Sequence, residues 1–337
     1  MQDDISSSRR SRVPSCAGEF RQDSSIETGP SADRMTVDVT AAVIALRDEQ
    51  PVVLIQGKAD GETVALPCER YRACVHASLE DAIRDRIVAQ MGIRLGYIEQ
   101  LTTDLKTQAP ERGALMRTAP GLSVGYLGLL RLEGNAAAQA APWMNCYEFL
   151  PWEDWRRGRP EILSATLLPR LLEWAAGETP QERAASELSR HDRLRIAFAI
   201  EGGKWDDERV AERLDILDAA GLVPVSALRQ MRADHRRILA AALARLRAKI
   251  RNRPLVFELL PPEFTLFELQ KTVEAILGPH LHKQNFRRLV EGTGLVVSTG
   301  EVRTHTGGRP AKLFRFRREV LLERPAPGVR VKAGRAA

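Results

Sequence analysis

Long hydrophobic runs are missing from this 337-residue chain, and no stretch approaches the roughly 20 apolar residues that a membrane-spanning helix requires. The opening segment, residues 1–34, has no apolar core of the kind a secretory signal carries. It is rich in Ser, Asp and Arg, so a disordered N-terminal tail is expected, with folding starting near Met35. Cysteine is scarce. Cys16, Cys68, Cys74 and Cys146 are too few and too irregular for a disulfide framework. Cys68, Cys74 and His76 form a C-x5-C-x-H group, but structural zinc takes four ligands in paired spacings, and no metal is expected there. No Ser/His/Asp or Cys/His set is spaced for nucleophilic catalysis, and there is no internal repeat. These absences point to a cytoplasmic protein with reduced thiols and no membrane segment, long enough for two or three cores.

Charge is present, and it is unevenly placed. From Leu281 to Ala337 the chain holds 13 Lys and Arg against 4 Asp and Glu, whereas the preceding part has a slight acidic excess. A basic terminal module suits a polyanionic partner. Within it, Thr265 with Glu268 three residues on is a capping box. An apolar stripe of Phe267, Leu269, Val273, Ile276 and Leu277 follows, ended by Gly278-Pro279. A second short helix from about His282 turns Phe286, Leu289 and Val290 inward. Its other face carries Lys283, Gln284, Arg287 and Arg288, with Asn285 at the edge, and Gly292 and Gly294 close it.

Two strand-like runs come next, residues 295–300 and 311–317, the second alternating Phe314 and Phe316 with Arg315 and Arg317. Between them lies the loop VRTHTGGRP, which is basic and rich in glycine. Helix, turn, basic helix and a hairpin with a basic tip is the layout of a winged helix-turn-helix. Arg, Lys, Asn and Gln on its second helix suit base edges in a major groove. The expected DNA contacts are those five helix residues together with Arg303, His305, Thr306, Arg309 and Lys312 of the wing.

Toward the N-terminus, residues 37–46 and 51–56 read as strands joined by a charged turn, and residues 65–67 as the start of a third. A helix over 79–91 and strands over 97–104 and 121–132 complete an order that resembles the Nudix fold. That family's box, G-x5-E-x7-R-E-U-x-E-E-x-G-U with U aliphatic, can be laid on the helix so that Gly92-Ile93 and Ile87 match. Its acids do not match. The R-E pair falls on Asp85-Arg86, the E-E pair on Ala89-Gln90, the upstream Glu on Ala77 and the opening Gly on Tyr71. Nudix hydrolysis depends on glutamates that bind Mg²⁺, so no catalytic residue is assigned and the protein is expected not to be an enzyme. Asp81 and Asp85 could hold an ion weakly, although Asp81 with Arg84 is more simply a surface pair. Arg86, standing at a metal-ligand position, could grip phosphate oxygens without activating water, or could be merely solvated.

Together with the segments LPPEFTLFELQKTVEAILG, LHKQNFRRLVEGTGLVVSTG and GGRPAKLFRFR, this pattern resembles the Nudix-related transcriptional regulators of NAD metabolism, the NrtR family. Within it, the chain resembles the longer, box-degenerate branch of NadQ-type repressors. The C-terminal likeness is nearly continuous from Arg251 to Arg317; the N-terminal one covers about residues 37–132 and is weaker. The resemblance implies an α+β protein, a Nudix-like α/β/α sandwich followed by a winged helix-turn-helix. It also implies a homodimer on a palindromic double-stranded operator, released or retained by a nucleotide such as ATP, ADP, NAD or ADP-ribose. No cofactor is required in this reading, and Arg72, Arg86 and Gln90 are the expected ligand contacts.

The intervening region, about 133–250, fits the family least. AAAQAAP (136–142) is expected to be a flexible loop, and Trp152 with Trp155 to serve in a core or interface or, less simply, to stack on an adenine. ERAASELSRHDRLRIAFAIE and DERVAERLDILDAAGL read as amphipathic helices. In the run 229–250, Leu239, Leu243, Leu246 and Ile250 make a seam that would pack on the sandwich, with a dimer contact as the other option. The expected division is a tail to residue 34, a ligand-sensing domain over 35–250, a DNA-binding domain over 251–320 and a basic tail over 321–337. Two other readings stay open: a Nudix hydrolase with relocated metal ligands, and a DNA-binding protein without a ligand.

Overall fold

A computed structural model describes residues 35–57, 63–106, 121–223, 229–304 and 310–322. The tail before Met35, the wing residues His305, Thr306 and Arg309, and the residues from 323 onward lie outside the described residues.

β1 (Thr36–Arg47) is apolar on both faces because both are covered. Val39, Ala41, Val43 and Ala45 belong to one core and Ala42 and Ile44 to another, the alternation that a strand imposes. The charged turn Asp48-Glu49 takes positive φ at both residues, as a two-residue hairpin demands, and leads into β2 (Gln50–Leu54). Then come β3 (Thr63–Val64), β4 (Cys68–Arg70), β5 (Tyr97–Lys106), β6 (Gly121–Leu129) and β7 (Trp143–Asn145). The mixed sheet runs β5-β6-β1-β2-β7, with β1 and β6 parallel and β4 also pairing with β1. β4 and β7, three residues each, are too short to show a period in the sequence.

α1 (Leu79–Met91) covers one face of this sheet, burying Ala82, Ile83 and Ile87. The Ser78 side chain caps its start, and Gly92 at φ 66° ends it in the left-handed conformation. The expected Asp81–Arg84 pair does not form. Arg84 pairs with Glu80 at 2.7 Å, one helical turn away, while Asp81 accepts from the Ser78 hydroxyl at 2.8 Å. The segment expected to be a flexible loop contains a helix, α2 (Ala136–Ala140), because Asn135 caps the amide of Ala138.

Among the described residues, α3 (Leu168–Ala176), α4 (Pro180–Ala184), α5 (Arg190–Phe198) and α6 (Val210–Ala219) precede the long helix. The run ERAASELSRHDRLRIAFAIE is therefore not one helix. A capping box at Thr179 starts α4, and Ser189 starts α5 afresh by accepting from the Asp192 amide. β8 (Gln230–Met231) pairs in parallel with β3 and leads into α7 (Ala233–Asn252). Leu239, Leu243, Leu246 and Ile250 are fully buried in the core that includes Ala42 and Ile44, so α7 covers the face opposite α1. Gly125 on β6 allows this approach, since a Cβ there would sit 3.1 Å from Ile238.

Beyond a helical turn at Pro254–Leu259 lie β9 (Glu263–Thr265), α8 (Leu266–Leu277), α9 (Lys283–Gly292), β10 (Val296–Arg303) and β11 (Ala311–Phe316). The strands form a sheet in the order β10-β11-β9, a winged-helix arrangement with one strand more than the sequence signalled. The Thr265–Glu268 capping box forms in both directions. Phe267 is not part of the buried stripe. It is 51% exposed, because Leu266, Leu269, Val273 and Ile276 occupy the inward arc and Phe267 falls on the outer one.

Candidate nucleic-acid interface and anion cavity

α9 owes its orientation to Phe286 and Val290, which are buried against the α8 side of the core. Anchoring that edge turns Lys283, Gln284, Asn285, Arg287 and Arg288 outward, and all five are exposed. Lys283 and Arg287 also line a groove of about 390 Å³ together with Phe267, Gln270 and Lys312. Lys312 is therefore brought beside the basic helix, and Phe267 and Gln270 join a surface on which the sequence had not placed them. Arg303 is held differently. Its guanidinium donates to Glu268 at 2.6 Å, tying the wing to the first turn of α8.

The α8–α9 turn is stapled by Glu274. Its carboxylate accepts from Gln270 at 2.8 Å and from the Leu281 amide at 2.9 Å, and Lys271 lies 3.2 Å away. Burial alone would raise the Glu274 pKa, but these donors outweigh it and hold the carboxyl below its ordinary value.

On the sandwich, a cavity of about 520 Å³ is lined by Asp38, Thr40, Cys68, Glu69, Arg70, Arg72, Arg86, Arg232 and His235. Of the three residues expected to contact ligand, Arg72 and Arg86 line this one cavity and Gln90 does not, being exposed on a further turn of α1. Arg70 leans on Asp38 at 3.3 Å and Arg86 on Glu69 at 3.5 Å. Arg86 Nε is shielded yet has no partner among the described residues. The exposed guanidinium groups of Arg72 and Arg232 have no ion-pair partner among the described residues. Arg70 and Arg232 were missed in the sequence. The alternation of Arg70 and Arg72 could have shown the first; nothing local could have shown the second, which arrives through the β3–β8 pairing.

The Nudix metal does not fit this helix. Asp85, Arg86, Ala89 and Gln90 occupy the box positions, and an arginine repels a divalent cation. Among the described residues no group of three His, Cys, Asp or Glu is arranged to hold a metal. His76 instead accepts from the Arg72 amide at 3.2 Å, bracing the turn that carries Arg72. Among the described residues no helix is long and apolar enough to cross a membrane.

A third polar cluster is fully buried. Glu153 accepts from Arg213 at 2.6 and 3.0 Å and from Arg247 at 2.6 Å. Arg247 also donates to the carbonyls of Ile276 at 2.9 Å, Glu153 at 3.0 Å and Asp207 at 3.0 Å. Burial works against the charge on Arg247, and the surrounding Tyr147, Glu153 and Asp207 outweigh it and raise its pKa. Tyr147 donates to the Ala275 carbonyl at 2.8 Å, and burial pushes its pKa up to about 12. Two unpaired C-terminal carbonyls of α8 are thus satisfied by side chains from outside the winged helix. Trp152 is core, and Trp155 packs against Trp205 in a tilted pair with ring centroids 4.5 Å apart, and neither tryptophan lines the arginine cavity.

Residues 256–316 match the family model of the NrtR DNA-binding winged helix domain. Over 83 residues, 25% of this chain, the sequence is 46% identical to an ADPR-responsive transcriptional repressor, NtrR, of Acinetobacter baylyi; that match spans 33% of the repressor's length. The crystal structure of Shewanella oneidensis NrtR complexed with a 27mer DNA superposes with a TM-score of 0.50 at 20% identity, covering 83% of this chain and 93% of that one. The α/β/α sandwich and the winged helix together are the fold of that protein. Residues 256–316 are thus similar to an NrtR DNA-binding winged helix domain, and the chain has the fold of Shewanella oneidensis NrtR.

Proposed function

We propose that this protein is a sequence-specific DNA-binding repressor, whose operator affinity is set by a nucleotide in a Nudix-like domain that does no chemistry. The observation that carries the reading is the exposed face of α9, where two amides and three cations stand together next to Lys312 of the wing. Gln284 and Asn285 suit adenine edges and Arg287 and Arg288 suit guanine, while Lys283 and Lys312 suit phosphates. Arg303, fixed to Glu268, acts by setting the angle of the wing, and His305, Thr306 and Arg309 are further proposed DNA contacts.

The arginine cavity supplies the sensor. A nucleoside diphosphate ligand presents adjacent anionic phosphates, which Arg72 and Arg232 can grip beside Arg86, where the family would place a metal. ADP-ribose is the first effector to consider, given the relative named for its response to it; ATP, ADP and NAD share the diphosphate chemistry. We assign residues 35–250 to sensing and 251–320 to DNA, a homodimer on a palindromic operator, and NAD-synthesis genes as targets. The protein would act in the cytoplasm.

The test is DNA binding to a NAD-synthesis promoter and to random DNA at one salt concentration, with and without ADP-ribose. Specific affinity that ADP-ribose changes supports the reading, and equal affinity for both DNAs sinks it. Lys283→Ala and Lys312→Ala should each lower the slope of log affinity against log salt by about 1.

A further inference from the structure

We infer that α7 is a strut which reads the effector at one end through Arg232 and moves the winged helix at the other through Arg247 and Tyr147. The inference rests on the sensor reading above and adds its regulation. Three observations carry it.

The first is the make-up of the cavity. Arg72 and Arg86 come from the β4–α1 segment, but Arg232 comes from the residue immediately before α7. The side chains of Arg72 and Arg232 are both exposed and lack an ion-pair partner among the described residues. An anion bridging them would bond the front of the sandwich to the start of α7. Asp38 and Glu69 in the same wall occupy Arg70 and Arg86, leaving Arg72 and Arg232 as the cations with charge to spare.

The second is how firmly the start of α7 is tied to the cavity wall. Thr63–Val64 pairs in parallel with Gln230–Met231, the Arg232 amide donates to the Val64 carbonyl at 3.1 Å, and His235 Nδ1 accepts from the Leu66 amide at 2.9 Å. A displacement of this wall by ligand is a displacement of α7.

The third is the far end. Fifteen residues on from Arg232, about 22 Å along the helix, α7 delivers Arg247 to the Ile276 carbonyl, and Tyr147, in contact with the same network, holds the Ala275 carbonyl. Both carbonyls lie in the last turn of α8, one short turn ahead of α9. Rigid, fully satisfied bonds at this end pass motion on rather than absorb it.

The experiment uses the full chain, with ADP-ribose binding measured by calorimetry and operator binding by fluorescence anisotropy at fixed salt. Arg232→Gln should weaken ADP-ribose binding at least about tenfold, the loss expected for a charge-assisted phosphate contact, while operator affinity without ligand stays unchanged. Tyr147→Phe should leave ADP-ribose binding to the free protein unchanged but bring the ratio of operator affinities with and without ADP-ribose toward one, by at least about threefold. Thermal melting accompanies Tyr147→Phe, and a cooperative transition shows that the variant is folded. ADP-ribose affinity within about twofold of the parent in Arg232→Gln, or an undiminished response in Tyr147→Phe, overturns the strut. Absence of ADP-ribose binding by the parent protein overturns the sensor reading itself and the strut with it.

Discussion

Two arginine clusters in this molecule differ in one respect. Arg213 and Arg247 lie fully buried around Glu153, with carboxylate oxygens and carbonyls on all sides. Arg72 and Arg232 stand exposed in a cavity with no ion-pair partner among the described residues. The first cluster has spent its donors on the protein, so it specifies geometry. The second has kept them, so it can take an anion from solution. The contrast teaches that a count of arginines does not locate a binding site; unsatisfied donors do.

The strongest way to break the contrast is Glu153→Ala, which strands two buried guanidinium groups. It should cost about 3–5 kcal/mol in urea unfolding, whereas Arg72→Ala and Arg232→Ala should stay within about 0.5 kcal/mol. A small effect at Glu153 would mean that carbonyls alone can hold the buried arginines. Next comes Gly278→Ala, at the end of α8. Gly278 has φ 96°, and an added Cβ would lie 2.9 Å from that of Trp155, so a loss of about 1–3 kcal/mol is expected by the same measurement.

A subtler probe is acid. Because the folded pKa of Glu274 is depressed, its contribution is fully present above the ordinary glutamate value and is lost as pH falls through the folded one. Unfolding curves of the parent should therefore lose stability on acidification below about pH 4.5 more steeply than those of Glu274→Gln. Parallel curves would remove Glu274 from the α8–α9 staple. A small effect is also expected at the Arg70–Asp38 pair, where the arginine side chain is 65% exposed. Arg70→Ala should cost no more than about 1 kcal/mol, and salt should erase the difference.

How far the sequence revealed this depends on the range of the interaction involved. Local signals were sound: Thr265 and Glu268 cap where spacing says they should, α1 runs from Leu79 to Met91, and the seam of α7 is buried. The outward face of α9 followed from its period. What was hidden depends on distant partners. β8 has two residues and no pattern of its own, β9 has three, and Arg232 acquires its setting from a strand far back in the chain. Phe267 was misplaced because an apolar side chain next to a stripe need not belong to it. Asn135 was a cap in plain view, overlooked because the alanines after it suggested a loop.

The β3–β8 pairing has a consequence for how the protein is made. It joins residues 63–64 to residues 230–231, so one wall of the anion cavity is absent until most of the chain has left the ribosome. A nascent sandwich ending before β8 could form its sheet and α1 but would lack Arg232 and the packing of α7. A fragment cut at that point should therefore fold poorly and be blind to effector. Sensing would begin only when the helix leading to the DNA-binding module has also been synthesised, so the chain would gain its control no later than the means to act on it.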